Sequence, residues 1–369
     1  MSAPGPETDR RFMALALMLG RRGRGACWPN PAVGCVIVAA DGRIVGRGHT
    51  QPGGRPHAER VALDRAGVAA HGATAYVTLE PCAHHGHTPP CAEALVNAGV
   101  ARMVVALGDP DPRVSGRGLK MLRDAGVAVC TGLMEDRAAR DLQGFLLRVT
   151  EGRPCLTLKL ASSFDGRIAT ASGESRWITS AAARRAVHAM RATHDAVMVG
   201  GGTVRADDPD LTVRGLGVAR QPVRVAVSRR LDINPDSRLG RTAGEVPVWL
   251  CHGPDAGAAR RDAWARTGAQ LLECDLAGAH LDPASVLRAL GAAGLTTVFC
   301  EGGGSWAASL LTAGAVDRLA GFTAGCALGA EGQPAIGAMG LEKLALAPRF
   351  VLEETRALDG DVLHLWHRG

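Results

Sequence analysis

The order of hydrophobic and polar residues in the first 150 positions predicts a β-rich start followed by alternating helices and strands. Apolar residues at spacings of three and four predict a first helix over 9–20, with Asp9 as its N-cap. Two β-rich runs, 30–38 and 43–50, flank an Asp-Gly turn and predict a hairpin. This order indicates a three-layer α/β domain. The remaining pattern predicts helices over 58–66, 91–98, 118–125 and 136–148 and strands over 74–80, 103–107 and 127–130.

A polar, glycine- and proline-bearing segment at 150–154 interrupts this pattern and predicts a linker. We therefore expect two domains, 1–149 and 150–369. In the second domain β runs alternate with helical segments, which predicts a mostly parallel sheet with ligands at the carboxyl ends of its strands. Its expected strands begin at Cys155 and lie at 196–199, 223–227, 247–251 and 297–300, and its expected helices lie at 180–193, 254–266, 283–293 and 301–311.

Composition narrows the class of protein. The chain has 369 residues, of which 46% are hydrophobic and 21% charged, as is usual for a globular protein. No apolar run is long enough for a membrane span, and the first residues lack the order of a signal peptide. The ten scattered cysteines favour a cytoplasmic protein with metal-binding thiols over a disulfide scaffold. A net charge of +6 with few aromatic residues favours an arginine-rich surface over a nucleic-acid groove, so neither a nucleic-acid nor a membrane partner is expected.

The segment from His57 to Cys91 contains the side chains of a zinc-dependent hydrolytic site. His57, Cys82 and Cys91 are ligands that zinc prefers, and three protein ligands leave a fourth position for water. Glu59 is the expected proton carrier, because the corresponding glutamate of zinc deaminases does not touch the metal. The alternative is a structural zinc site with a fourth ligand from the histidines at 84–87. Glu59, which a structural site leaves unexplained, favours the catalytic interpretation.

Other positions allow two interpretations from the pattern alone. Asn30 and His49 flank the predicted hairpin and are either pyrimidine contacts or turn formers. Glycine-rich turns follow strands at 200–202 and 302–304, where bare N–H groups favour phosphate. The second turn matches a relaxed dinucleotide fingerprint, but a chain with 48 glycines produces such matches by chance. A tight structural turn and a nucleotide loop both remain open.

Four motifs of the first half resemble those of a known family. They are N-P-A-V-G-C-V-I-V at 30–38, H-A-E at 57–59, L-E-P-C-A-H-H-G-H-T-P-P-C at 79–91 and D-P-D-P-R-V-S-G-R-G at 109–118. Together they resemble the deaminase domain of the bifunctional riboflavin-biosynthesis deaminase/reductase. Eight residues separate Cys82 from Cys91, whereas cytidine, tRNA-adenosine and nucleic-acid-editing deaminases usually have two at this place.

This resemblance implies a cytidine-deaminase-like three-layer fold with zinc on the three ligands and Glu59 as the catalytic residue. It also implies that Asn30 and His49 bind substrate. His87 is a departure, because the family usually has arginine at this place. If that arginine contacts the substrate phosphate, His87 replaces it only when protonated.

The second half resembles the reductase domain of the same family, which implies a dihydrofolate-reductase-like α/β fold and NADPH. The motifs include S-S-F-D-G-R-I-A-T at 162–170, S-G-E-S-R-W-I-T-S at 172–180, A-D-D-P-D-L-T-V-R at 206–214 and E-G-G-G at 301–304. Matched by motif, the implied NADPH contacts are Ala161, Trp177, Thr203, Asp207, Ser228, Gly302, Gly303, Gly304, Ser305, Trp306, Ala307, Ala308 and Ser309. The implied substrate contacts are Ser175, Arg191, Leu211, Arg214 and Glu301.

Three details of the second half go beyond this match. Ser228, Arg229 and Arg230 follow a strand, and we hypothesise that they bind the 2′-phosphate of NADPH. Asp207 either delivers a proton or only binds the ligand, and we favour binding. The segment 322–337 departs from the family, since Gly325 stands where proline is usual and the loop glycines are rearranged.

The predicted function is zinc-dependent hydrolytic deamination of 2,5-diamino-6-ribosylamino-4(3H)-pyrimidinone 5′-phosphate, followed by NADPH-dependent reduction of its ribosyl group to ribityl. The alternatives are a nucleic-acid or nucleoside deaminase with an accessory domain, and a non-catalytic zinc-binding scaffold. We expect a cytoplasmic enzyme with a small phosphorylated pyrimidine as its partner. Assembly into a homo-oligomer, a dimer or tetramer, is left open.

Overall fold

The computed structural model describes residues 5–85 and 89–369. The chain divides into two compact units, Met1–Gly152 and Arg153–Gly369. No helix of the described residues is long and apolar enough to cross a membrane.

The described part of the first unit contains a five-stranded sheet in the order β2-β1-β3-β4-β5. Its first three strands pair antiparallel, and β3, β4 and β5 run parallel. The strands are β1 (Gly34–Val38), β2 (Ile44–His49), β3 (Thr74–Val77), β4 (Arg102–Val105) and β5 (Ala128–Thr131). The helices are α1 (Pro6–Gly20), α2 (Ala58–Ala66), α3 (Cys91–Asn97), α4 (Arg117–Asp124) and α5 (Glu135–Glu151), with 3-10 turns at Arg21–Gly23, Pro52–Gly54 and Gly67–Ala70.

Every residue of β1 is buried, because helices cover both faces of the sheet. Val36 and Val38 pack in one cluster with Met13 and Leu17 of α1, while Cys35 and Ile37 pack in the other with α2. Glycine allows α2 to lie close to β2, since a Cβ at Gly48 would collide with the carbonyl of Ala58. The sheet thus fixes the start of α2, and the predicted three layers are confirmed.

Asp9 corrects the prediction for the first helix. The helix begins at Pro6 with Gly5 as its N-cap, so Asp9 lies inside it and does not cap it. The Asp9 carboxylate is buried and accepts hydrogen bonds from the Tyr76 hydroxyl at 2.6 Å and from Arg102 at 2.8 and 2.6 Å. Its role is therefore to tie α1 to β3 and β4.

The second unit has a nine-stranded sheet in the order β11-β10-β9-β8-β14-β6-β15-β18-β17 within the described residues. The strands from β11 to β15 in this order are parallel, which confirms the predicted mostly parallel sheet. The strands are β6 (Cys155–Ser163), β7 (Arg167–Ala169), β8 (Ala196–Gly200), β9 (Val223–Val227), β10 (Val248–His252), β11 (Gln270–Glu273), β12 (Leu276–Ala277), β13 (His280–Leu281), β14 (Thr297–Cys300), β15 (Arg318–Ala324), β16 (Gln333–Pro334), β17 (Phe350–Leu358) and β18 (Asp361–Arg368).

Helices cover this sheet and connect most of its parallel strands. The Ser180 hydroxyl caps α6 as predicted, accepting a hydrogen bond from the Ala183 N–H at 3.1 Å. Trp264 of α9 is fully buried among residues of β8, β9 and β10. The helices are α6 (Ala181–Ala192), α7 (Gly201–Asp207), α8 (Arg238–Arg241), α9 (Ala258–Arg266), α10 (Pro283–Ala292) and α11 (Gly304–Thr312), with a 3-10 turn at Leu344–Leu346.

Two boundaries that bear on the site and on the predicted linker differ from prediction. The predicted strand over 74–80 ends at Val77, so the residues before Cys82 form a loop. The helix predicted to end at Arg148 continues through Glu151, and Gly152 ends it at a φ of 70°. Helix α5 therefore occupies the first two positions of the predicted linker. The antiparallel pair β17 and β18 has no counterpart in the prediction.

Candidate active sites

The three predicted zinc ligands converge in the first unit. His57 is the N-cap of α2, Cys91 is the first residue of α3, and Cys82 lies in the loop after β3. The His57 Nδ1 atom is 3.6 Å from the Cys82 Sγ atom and 3.4 Å from the Cys91 Sγ atom. The ligand atoms of all three residues lie within 4.8 Å of one another.

This spacing fits zinc. Tetrahedral zinc with ordinary zinc–sulfur and zinc–nitrogen bonds holds its nitrogen and sulfur ligands about 3.6 Å apart. The Cys91 N–H donates to the Cys82 Sγ at 3.3 Å, which fixes the orientation of that thiol. The hydrogen bond between the two thiols, with further help from His57, lowers the pKa of Cys82 to about 4. The same hydrogen bond and burial raise the pKa of Cys91. The cluster therefore offers a thiolate and an imidazole to a soft cation.

Glu59 lies beside this cluster without belonging to it. Its side chain is 3% exposed in the first turn of α2, and it lines the same cavity as His57 and Cys82. Burial raises the pKa of Glu59 to about 7. A carboxyl group with a pKa near neutrality is suited both to accept and to return a proton.

The cavity beside the cluster has a volume of about 150 Å³. Asn30 lines it, as predicted from the motif, and its Nδ2 donates to the Gly54 carbonyl at 3.3 Å. His49, at the end of β2, is not among the described residues that line this cavity. The sequence did not single out Asp109 and Asp111, which line it together with Arg113. His87, the departure from the family, lies outside the described residues.

A second cavity, of about 600 Å³, lies in the second unit. All five predicted substrate contacts line it: Ser175, Arg191, Leu211, Arg214 and Glu301. Three of the predicted cofactor contacts line it as well: Ala161, Trp177 and Asp207. The cavity thus collects residues from β6, α6, the segment after α7 and the end of β14.

Two of the residues that line this cavity form a buried ion pair. The Arg191 guanidinium donates from Nε and Nη2 to the Glu301 carboxylate, the latter at 3.0 Å, and from Nη1 to the Thr212 carbonyl at 2.8 Å. Burial raises the pKa of Glu301, but Arg191 and then Lys159 outweigh that effect and lower it below its usual value. Lys159, which the sequence analysis did not single out, lines the cavity, and burial lowers its pKa.

A third cavity, of about 320 Å³, lies along the glycine-rich turns of the second unit. Six of the predicted cofactor contacts line it: Thr203, Ser228, Gly303, Ser305, Trp306 and Ser309. The other four, Gly302, Gly304, Ala307 and Ala308, belong to the same turn and to α11. Helix α7 joins the two cavities of this unit, because Thr203 lines one and Asp207 lines the other.

The lining of this cavity fits a nucleotide cofactor. Gly303 has a φ of 87°, and a Cβ there would come within 3.1 Å of the Thr203 hydroxyl, so only glycine keeps this backbone open to a ligand. The buried Trp306 Nε1 has no hydrogen-bond partner among the described residues. A buried donor without a partner is costly in a folded protein, which makes it a ready contact for a bound cofactor.

Arg229 and Arg230, which we hypothesised to act together, differ in position. Arg229 lines this third cavity and Arg230 is not among its described lining residues. Both pair with Asp255, at 2.9 and 3.2 Å respectively. The cavity is instead lined by a second cation, Arg205, which pairs with Asp232 at 2.8 Å.

Comparison with known proteins identifies relatives of both units. Residues 6–107 match the cytidine and deoxycytidylate deaminase zinc-binding region, and residues 154–364 match the RibD C-terminal domain. The chain is 45% identical over 370 residues to riboflavin biosynthesis protein RibD of Escherichia coli (strain K12), covering 97% of this chain and 99% of that protein. It is 38% identical over 362 residues to RibD of Aquifex aeolicus (strain VF5), covering 98% of this chain and 99% of that protein.

Two solved structures are similar to this chain over nearly its full length. Acinetobacter baumannii RibD, form 1, superposes with a TM-score of 0.88 at 39% identity and covers 99% of this chain and 100% of its own. The diaminohydroxyphosphoribosylaminopyrimidine deaminase/5-amino-6-(5-phosphoribosylamino)uracil reductase of Thermotoga maritima superposes with a TM-score of 0.85 at 33% identity, covering 99% of both chains.

Proposed function

The chain belongs to the RibD family of bifunctional riboflavin-biosynthesis enzymes, and we propose a division of its two reactions between its two units. The enzyme deaminates 2,5-diamino-6-ribosylamino-4(3H)-pyrimidinone 5′-phosphate hydrolytically and reduces the ribosyl group to ribityl with NADPH. The observation that carries the division is the convergence of His57, Cys82 and Cys91 beside the buried Glu59 in the first unit.

In the first reaction, His57, Cys82 and Cys91 would hold the zinc ion. Zinc bound there would act as a Lewis acid that lowers the pKa of its water from about 16 toward neutrality. Glu59 accepts a proton from the attacking water and passes it to the ring nitrogen; it then takes a second proton from the hydroxyl group added to the ring carbon and passes it to the amino group, which leaves as ammonia. Its pKa of about 7 leaves both forms of the carboxyl group accessible near neutral pH. Asn30, on the wall of the cavity, contributes a polar contact for the pyrimidine.

In the second reaction, the cofactor and the substrate would occupy the two cavities of the second unit. NADPH would supply a hydride to C1′ of the ribosyl group, and the bond between C1′ and the ring oxygen would break as that oxygen takes a proton from solvent. The Arg214 guanidinium is 60% exposed and binds the substrate phosphate, since arginine matches the geometry of phosphate oxygens. Glu301 and Thr212 already engage three of the five N–H groups of Arg191, which leaves two for the substrate. Asp207 lines the substrate cavity and serves binding.

The deaminase assignment is tested with Glu59→Gln. We expect this variant to release no ammonia from the diamino substrate, to retain one zinc per chain and to reduce the deaminated intermediate at the normal rate. Loss of zinc would instead make Glu59 a ligand. Incubation of the wild-type enzyme with the diamino substrate, with and without NADPH, separates the two reactions, since ammonia release and NADPH consumption are followed independently.

We assign selectivity for NADPH over NADH to Arg205 and Arg229 together with Ser228. In this assignment Arg205 takes the place that the sequence-based hypothesis gave to Arg230. The Ser228 hydroxyl donates to Asp232 at 2.6 Å, and Arg205 pairs with the same carboxylate. All three residues line the cofactor cavity, and the two arginines supply the positive charge that a 2′-phosphate requires.

We further propose that the enzyme acts in the cytoplasm and as an assembly of identical chains. The exposed surface for the second copy is the edge strand β17, where Val351 and Leu352 are 51% and 48% exposed. An edge strand with exposed apolar side chains is a surface that proteins usually cover. Light scattering of wild-type protein and of Leu352→Lys tests this, because the substitution is expected to shift the mass toward that of one chain.

A further inference from the structure

Glu80 is a buried carboxylate whose hydrogen bonds go entirely to main-chain groups among the described residues. Its side chain is 4% exposed. The Oε2 atom accepts from the N–H groups of Asp109 at 3.4 Å and Gly116 at 3.1 Å. The Oε1 atom accepts from Gly118 at 3.0 Å and Leu119 at 3.3 Å. Four donors on one buried carboxylate hold the segment 109–119 around this side chain.

The held segment contains part of the wall of the deaminase cavity. Asp109, Asp111, Arg113 and Val114 all line that cavity. Within the segment, the Asp109 Oδ1 atom accepts from the Asp111 N–H at 2.9 Å, and the Asp111 Oδ1 atom accepts from the Arg113 N–H at 2.9 Å. Each carboxylate therefore orders the next two residues, in a series that starts at Glu80.

The backbone of Glu80 is part of the zinc-ligand loop. Glu80 precedes Cys82 by two residues, and its own N–H donates to the Leu107 carbonyl at 2.8 Å. Gly118 packs directly against the Pro81 carbonyl, where a Cβ would collide. Glu80, which itself lines the cavity, thus connects the loop that holds a zinc ligand to the loop of Asp109 and Asp111.

We propose that Glu80 is a positioning residue for deamination, which sets the distance between the cavity wall formed by Asp109 and Asp111 and the zinc-ligand loop. The proposal rests on the deaminase site proposed above. A role limited to capping α4 would use Oε1 alone, through Gly118 and Leu119 at the start of that helix. The Oε2 atom instead accepts hydrogen bonds from the loop and from Gly116. A role in helix capping alone does not account for these two hydrogen bonds.

The test is Glu80→Gln in the full-length zinc enzyme. The glutamine side chain places an NH₂ group where the carboxylate accepted hydrogen bonds from main-chain N–H groups. Some of those N–H groups lose their acceptor, so the cavity wall loses its fixed position. We expect KM for the diamino substrate in ammonia release to rise roughly tenfold or more, with kcat changed less than KM. Zinc content and the rate of NADPH-dependent reduction are expected to stay at wild-type values.

Leu122→Ala is the matched control. Leu122 is fully buried in α4 and is neither among the described residues that line the cavity nor a hydrogen-bond partner of Glu80, so its truncation weakens the packing of the helix and leaves the Glu80 hydrogen bonds in place. If α4 stability were all that Glu80 supplied, this control would raise KM as Glu80→Gln does, and the proposal would be wrong. An unchanged KM in Glu80→Gln, or loss of zinc from it, would also overturn it.

Two further variants complete the test. Glu80→Asp keeps the charge on a shorter side chain and is expected to fold even where the amide does not, with an intermediate rise in KM. Asp109→Asn acts on the wall itself, so combining it with Glu80→Gln is expected to raise KM by less than the product of the two single effects. Multiplicative effects, or a normal KM in Glu80→Asp, would contradict the proposal. Glu59→Gln, measured in parallel, reports separately whether the deaminase assignment itself holds.

Discussion

The buried contact between Asp9 and Arg102 gives a stability prediction that does not depend on the function. The side chains of Arg102 and Asp9 are 17% and 11% exposed, and the Nη1 and Nη2 atoms of Arg102 both donate to Asp9. Replacing Asp9 by asparagine leaves Arg102 without its counter-ion inside the protein. Removing one partner of a buried pair costs about 3–5 kcal/mol. We adopt about 3 kcal/mol, because neither side chain is completely enclosed.

For a unit of this size, about 3 kcal/mol corresponds to a loss of roughly 6–12 °C in Tm. Differential scanning calorimetry of Asp9→Asn measures the transition. Tryptophan fluorescence reports mainly the other unit, since five of the six tryptophans follow residue 153. Asp124→Asn is the control, because its i,i+4 pair with Lys120 lies at the surface, where such pairs contribute about 0.5 kcal/mol or less. Equal shifts in the two variants would refute the reasoning.

The same pair sets a pH dependence. The hydrogen bonds from Arg102 hold the pKa of Asp9 below its ordinary value of 3.8. A carboxyl group whose pKa is depressed on folding stabilises the protein above its unfolded pKa and stops doing so as the pH falls through the folded one. The difference in Tm between wild type and Asp9→Asn should therefore be constant at neutral pH and shrink below about pH 4. A difference that grew with acidity would contradict this sign.

Three further predictions concern the two sites. Cys91→Ser should reduce the zinc content measured by atomic absorption and abolish ammonia release, while NADPH-dependent reduction continues. Glu301→Gln removes the counter-ion of Arg191, so KM for the reductase substrate should rise about tenfold or more in steady-state kinetics, with deamination unaffected. Arg205→Ala should weaken NADPH binding in titration calorimetry by about tenfold and leave NADH binding unchanged, whereas Arg230→Ala should alter neither.

The spacing of apolar residues predicted which helices and strands are present better than it predicted where each of them begins and ends. Helix α2 has the predicted bounds, and the site at its start follows from them, because His57 is its N-cap and Glu59 lies in its first turn. Asp9 shows the limit of this approach. An aspartate before an apolar run has the signature of an N-cap, and only the tertiary pairing with Arg102 and Tyr76, distant in sequence, gives it another role.

The residues that line the cavities were harder to predict from the sequence than the residues that carry the chemistry. Glu59 and the zinc ligands stand in a short motif, where residue type and spacing carry the information. Asp109 and Asp111 lie in a loop whose approach to the site depends on Glu80, and no periodicity in the sequence encodes that contact. His49, which the resemblance implied as a substrate contact, is not among the described residues that line the deaminase cavity, and its role stays a prediction.

Main-chain hydrogen bonds hold the segment 322–337, where the sequence is expected to depart from the family. The Asp165 carboxylate accepts from the N–H groups of Leu328 at 3.1 Å and Gly329 at 2.8 Å, and the Gly337 N–H donates to the Gly304 carbonyl at 2.8 Å. These bonds use the backbone of the segment, which every residue except proline provides in full. The segment therefore stays attached to the cofactor turn although its glycines are rearranged. We conclude that the side chains that depart from the family here leave the support of that turn intact.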